Sequence, residues 1–189
     1  MAFHKSIIFA LLTFGFFGSF AQSETEPENV GNTFTKFHAL GYKAGLNYAT
    51  ISGDNIRSGL GNAGVTAGMT YYHAIHQNLS LVAELYFVQK GNTETSLNFI
   101  ELPVMLRAHL TPIDEINVFF NGGFGYAYNL KSNWAKYELN HHLGVGLLFP
   151  HPKHDVILEL RYSRGSTNVL PQVSRTNVLS LNIGISHKL

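Results

Sequence analysis

The chain has 189 residues, enough for one domain, and carries 13 Lys and Arg against 12 Asp and Glu, for a formal net charge of +1. That near-neutral balance excludes an electrostatic nucleic-acid binder. Only 13% of residues are charged, about half the ~25% of a soluble domain, and the absence of Cys excludes both a disulfide framework and a lipoprotein anchor.

Residues 1–21 read as a signal peptide. Lys5 gives a short positive start, Ile7 to Phe17 an apolar run, and Ser19-Phe20-Ala21 small residues at the −3 and −1 positions of a cleavage site. The run is short for a membrane-spanning helix. Cleavage after Ala21 removes Lys5 and balances basic against acidic residues. Residues 22–37, with Glu24, Glu26, Pro27 and Glu28, read as a flexible periplasmic leader. No stretch of 18 apolar residues follows, which excludes a helical membrane protein.

Residues 38–189 read as eight strands, roughly 39–50, 64–74, 78–90, 98–109, 116–129, 138–149, 155–165 and 177–188. All exceed the ~5–6 residues of an ordinary soluble strand. They suit the ~9–11 residues that a tilted strand needs to cross a bilayer. Period-two alternation runs through them. Leu40, Tyr42, Ala44, Leu46 and Tyr48 oppose Gly41, Lys43, Gly45 and Asn47 in the first. Leu79, Leu81, Ala83, Leu85 and Phe87 oppose Ser80, Val82, Glu84 and Tyr86 in the third. Ile100, Leu102, Val104 and Leu106 oppose Glu101, Pro103, Met105 and Arg107 in the fourth. Leu179, Leu181, Ile183 and Ile185 oppose Ser180, Asn182, Gly184 and Ser186 in the eighth.

Short connections follow strands two, four and six, and longer ones, notably Ile51–Ala63 and Ser166–Thr176, follow the odd strands. The pattern predicts an all-β, eight-stranded antiparallel up-and-down transmembrane β-barrel, its apolar face in lipid and both termini periplasmic. The last strand should close it by pairing with Leu40–Tyr48. Alternation has no sign of its own. A soluble lipocalin-like barrel, with the apolar set inside, is the alternative.

Four segments resemble the PorT-like "porin family" of Bacteroidetes outer-membrane β-barrel proteins. They are Gly41-Tyr42-Lys43-Ala44-Gly45-Leu46-Asn47, Glu84-Leu85-Tyr86-Phe87-Val88-Gln89-Lys90-Gly91, Ile100-Glu101-Leu102-Pro103-Val104 and Leu160-Arg161-Tyr162-Ser163-Arg164-Gly165. The resemblance covers essentially the whole mature chain and implies an eight-stranded outer-membrane barrel without one shared activity. One member type serves a secretion machinery, so an accessory role beside an envelope partner is a further expectation. Such barrels often finish with Phe; this chain finishes His187-Lys188-Leu189.

Lys43, Glu84, Glu101, Arg107, Glu159 and Arg161 fall on the inward face. Six charges of mixed sign in a lumen barely wide enough for side chains predict a salt-bridged plug. A narrow pore is the competing reading. Arg57, Arg164 and Arg175 flank the long loops and suit anionic lipid, lipopolysaccharide phosphates among them. Gly41, Gly45, Gly68, Gly123, Gly125, Gly144 and Gly146 leave inward room for the large side chains.

His38, His73, His76, His109, His151, His154 and His187 cluster at the predicted periplasmic end, a setting that suits imidazole at the headgroup boundary. His73-x-x-His76 and His151-x-x-His154 lack a third ligand, so no metal is expected. Tyr42, Tyr71 and Phe149, and at the other end Tyr48, Phe87, Tyr126 and Tyr162, predict two aromatic girdles. The predicted external loops hold Ser52, Asp54 and Ser58 but no His to activate a hydroxyl, so the expectation is no enzyme and no cofactor. The expected state is a monomer among outer-membrane lipids.

Overall fold

A computed structural model describes residues 37–53, 61–91, 96–110, 116–130, 136–166 and 174–189. The chain divides into Met1–Thr33 and Phe34–Leu189. The barrel belongs to the second unit. The signal peptide read over 1–21, and the leader up to residue 36, lie outside the described residues.

Eight strands follow in order: β1 (His38–Gly53), β2 (Asn62–His76), β3 (Leu79–Gly91), β4 (Ser96–His109), β5 (Asn117–Asn129), β6 (Tyr137–Phe149), β7 (His154–Gly165) and β8 (Ser174–Lys188). They run from 12 to 16 residues. Each pairs antiparallel with the next, and β8 pairs with β1, so the sheet is a closed up-and-down barrel. Closure satisfies every strand edge, a requirement for backbone in a bilayer. At the closing seam Tyr42 lies opposite Ile185 and Leu46 opposite Leu181, as the alternation predicts.

The proximal end holds His38, Lys188 and the connections β2–β3, β4–β5 and β6–β7; the distal end holds the other connections. The expected contrast in loop length is weaker than the sequence suggests. β1 runs to Gly53 and β2 starts at Asn62, inside the segment read as a loop, and β3 and β4 are separated only by residues 92–95. Ladder pairing continues past the apolar zone, since a paired backbone needs no other partner for its N–H and C=O groups. The proximal β4–β5 connection, 110–116, is as long as the distal β5–β6 connection, 130–136.

The sign of the alternation is fixed by charge. Leu46, Leu143 and Ile183 are 71%, 65% and 61% exposed on the outer face. Every described Asp and Glu (Glu84, Glu101, Glu138, Asp155 and Glu159) is buried in the lumen. A lipocalin-like barrel has the reverse arrangement, with its apolar residues enclosed. Here the outer apolar belt has lipid as its fitting solvent.

Small residues let large ones in. At Gly184 an added Cβ would meet Lys43 Cγ and stand 2.9 Å from the Tyr42 carbonyl oxygen. At Gly125 it would meet His142 Nε2. One interruption lies in the wall: β3 and β4 pair at Ala83–Val104 and again at Tyr86–Glu101, with no pairing between. Pro103 occupies that gap and has no N–H to donate.

Candidate functional site

The lumen is layered. Nearest the proximal end Ala39, Tyr72, Val82, Met105, Phe119, Leu148 and Ile157 form one buried cluster. All point inward from the proximal parts of their strands. The expectation was a salt-bridged polar plug, and this layer of the lumen is apolar. Its members have the inward parity, but apolar residues at isolated inward positions do not announce a shared layer.

The second layer is an ion-paired hub. Lys43 Nζ lies 2.5 Å from Glu84 Oε1 and donates to Glu159 Oε2 at 2.7 Å. Arg161 grips Glu84 with both terminal nitrogens, at 2.5 and 3.0 Å, and donates through Nε to Glu159 Oε1 at 2.6 Å. Arg107 Nη2 stands 3.8 Å from Glu159 Oε2, while its Nε donates to Asn121 Oδ1 at 2.9 Å. The Arg107 guanidinium also covers the Phe119 ring, 3.8 Å from its centroid, coupling this layer to the apolar one. Three cations thus meet two carboxylates, all buried.

A third layer lies toward the distal mouth and inverts that balance. Lys90 donates to Glu138 Oε2 at 2.8 Å and stands 3.8 Å from Glu101 Oε2. Asn140 donates to Glu101, and Thr176 to Glu138. One cation meets two carboxylates. The six inward charges read from the sequence are therefore not one network: Glu101 belongs with Lys90 and Glu138. Six residues along β4 separate Glu101 from Arg107, roughly 20 Å at ~3.4 Å per residue. Lys90 and Glu138 were missed at strand ends, where the alternation was not carried through. Extending the even-numbered inward parity of β3 and β6 finds both.

A Ser–His–Glu constellation lies in the same region. His142 Nδ1 is 2.8 Å from Ser163 Oγ, and its Nε2 is 3.3 Å from Glu101 Oε1. The cavity beside it, lined by Lys90, Glu101, His142 and Ser163 among others, holds about 20 Å3, room for about one water. Acyl transfer needs a substrate carbonyl beside the hydroxyl and donors aimed at its oxygen. A water-sized void admits neither, so the arrangement reads as lumen packing.

On the outer face the described girdle aromatics sit where expected. Tyr42 and Phe149 are exposed proximally, and Tyr48, Tyr126 and Tyr162 distally. Imidazoles crowd the proximal rim: His38 stacks on His73 at 4.7 Å, His151 on His154 at 4.3 Å, and His154 lies opposite His187. The Nδ1 atoms of His38 and His73 lie 3.2 Å apart, within hydrogen-bonding reach of each other. Among the described residues no group of three or more His, Cys, Asp or Glu can hold a metal. His109 differs, turning inward between Ser80 and Asn117. Distally, Arg164 and Arg175 are exposed on the outer face. Arg57 lies outside the described residues.

An apolar belt, two aromatic rims and a closed polar-cored barrel define a transmembrane protein of the outer-membrane type. The chain belongs to the family described as outer membrane protein beta-barrel domain, whose model matches residues 12–170. No curated protein matches it in sequence. Among solved structures it is similar in fold to Neisserial surface protein A, at 12% identity and a TM-score of 0.58, over 80% of this chain and 99% of that one. It is also similar to the outer membrane protein OprG of Pseudomonas aeruginosa, at 11% identity and a TM-score of 0.49, over 82% and 97% of the respective chains. Family and fold together imply the outer membrane.

Proposed function

We propose that the protein is a non-conducting, non-enzymatic outer-membrane barrel that acts through its surfaces. Its termini would lie in the periplasm after removal of the signal peptide read over 1–21. Its resemblance to PorT-like Bacteroidetes barrels agrees with that setting. One observation carries the reading: an apolar layer and an ion-paired layer cross the lumen in series. An ion passing through must shed its hydration shell among Val82, Met105, Phe119 and Leu148, then displace paired charges from one another. Each demand is costly in a low-dielectric interior.

Planar-bilayer recording on the refolded full-length barrel tests this. The expected trace is indistinguishable from protein-free membrane. Unitary conductance steps that scale with protein added would refute the plugged reading. A fluorophosphonate probe tests the enzyme question: Ser163 stays unlabelled in the folded barrel, and labelling lost in Ser163→Ala would make it a nucleophile.

A further inference from the structure

The outward-facing Lys, Arg and His side chains are unevenly placed. Among the described residues β3, β4 and β5 carry none on their outer faces within the barrel wall. At the distal rim they fall on three adjacent strands. His141 of β6 lies opposite Arg164 of β7, and Arg164 lies opposite Asn177 of β8. Arg175 stands two residues farther toward the distal edge of the same outer face, opposite Ser52. All three basic side chains are exposed. A residue and its diagonal cross-strand neighbour lie ~7–8 Å apart, so two arginines in this relation reach a common ligand.

The row meets no counter-charge among the described residues. Tyr162 donates to Asn177 Oδ1 at 2.9 Å, and His141 packs edge-on against Phe124 at 5.0 Å. Neither Arg164 nor Arg175 has an ion-pair partner among the described residues, and every described carboxylate faces the lumen. Tyr126, Tyr137 and Tyr162 mark this level as the boundary between apolar belt and headgroups. A guanidinium there needs a lipid-borne anion, and a phosphate accepts the planar fork of donors in bidentate fashion.

We propose that His141, Arg164 and Arg175 form a binding site for the phosphate of a phosphorylated glycolipid in the leaflet around the distal rim. The proposal rests on the outer-membrane reading with periplasmic termini, which makes the distal rim external. The arginines supply charge and bidentate hydrogen bonds. His141 supplies a third nitrogen, and Tyr162 holds Asn177 between them. The lipid's acyl chains would lie along Leu143, Leu160 and Leu179, outward residues on the belt side of the row.

Native mass spectrometry of the full-length barrel, released from micelles containing bisphosphorylated lipid A, its dephosphorylated form or phosphatidylglycerol, tests the site. The expected result is selective retention of the bisphosphorylated lipid. About fivefold weakening is expected for Arg164→Gln or Arg175→Gln alone and about 25-fold for both. Lys153→Gln, in the proximal β6–β7 connection, should change nothing. Equal retention of the dephosphorylated form, equal retention of phosphatidylglycerol, or an unaltered double variant would each overturn the proposal. Vesicle insertion separates the two levels of failure. A barrel that fails to insert refutes the membrane reading, whereas one that inserts and ignores the phosphate refutes the site alone.

Discussion

Glu159 illustrates how one carboxylate organises a lumen. It accepts from Lys43 and Arg161 and faces Arg107, whereas Glu84 meets only the first two. Neutralising it leaves three buried cations around a single carboxylate, and an uncompensated buried charge costs about 3–5 kcal/mol. Glu159→Gln, close in shape, should therefore destabilise the barrel by that order, read as a lowered urea midpoint in vesicles. Arg164→Gln, at the exposed rim, should stay within about 0.5 kcal/mol. Membership of the lumen was legible for each residue from parity alone. Partnership was not: Lys43 and Glu159 are 116 positions apart. Their meeting depends on strand tilt and stagger, which side-chain alternation does not encode.

At the scale of the strand, β8 shows both faces at work. Leu181 points outward between Leu46 of β1 and Leu160 of β7. A charge there has only lipid to meet, so Leu181→Arg should cost about 2–4 kcal/mol if the residue sits near the midplane. Gly184 points inward, where Lys43 Cγ and the Tyr42 carbonyl leave no room for a methyl group. Gly184→Ala should cost about 1–3 kcal/mol through overpacking. Ala44→Gly, on the outer face of β1, should cost no more than about 1 kcal/mol. Denaturation of the three variants in one lipid composition checks the order. Strand existence, face assignment and the closing pair were all legible, since each repeats every two residues over a long run. Strand ends were not: β1 and β2 extend into the segment read as the loop Ile51–Ala63. Beyond the apolar zone, neighbour pairing sets the boundary and composition no longer marks it.

For the whole molecule, the order of layers matters more than any one of them. From proximal to distal the lumen presents apolar packing, then three cations with two carboxylates, then one cation with two carboxylates. The two charged layers are unbalanced in opposite senses, so their sum is neutral and each lies in the field of the other. A barrier made of two layers in series fails only when both are opened. Met105→Ala with Leu148→Ala thins the apolar layer, at a cost of about 2–5 kcal/mol for each truncated side chain, but leaves the Lys43–Glu84–Arg161–Glu159 cluster closed. That variant should remain silent in planar bilayers. Adding Arg107→Ala removes the guanidinium that covers Phe119 and bridges the two layers. The triple variant keeps Lys43 and Arg161 paired with Glu84 and Glu159 and should stay silent as well. Adding Arg161→Ala removes a cation that holds both carboxylates, and conductance should then appear and favour cations, because Glu84 and Glu159 outnumber Lys43. If thinning the apolar layer alone gives steps, the ion-paired layer is no barrier and the lumen is sealed at one point only. The heat-dependent gel shift of each variant, measured beforehand, ensures that only closed barrels are compared.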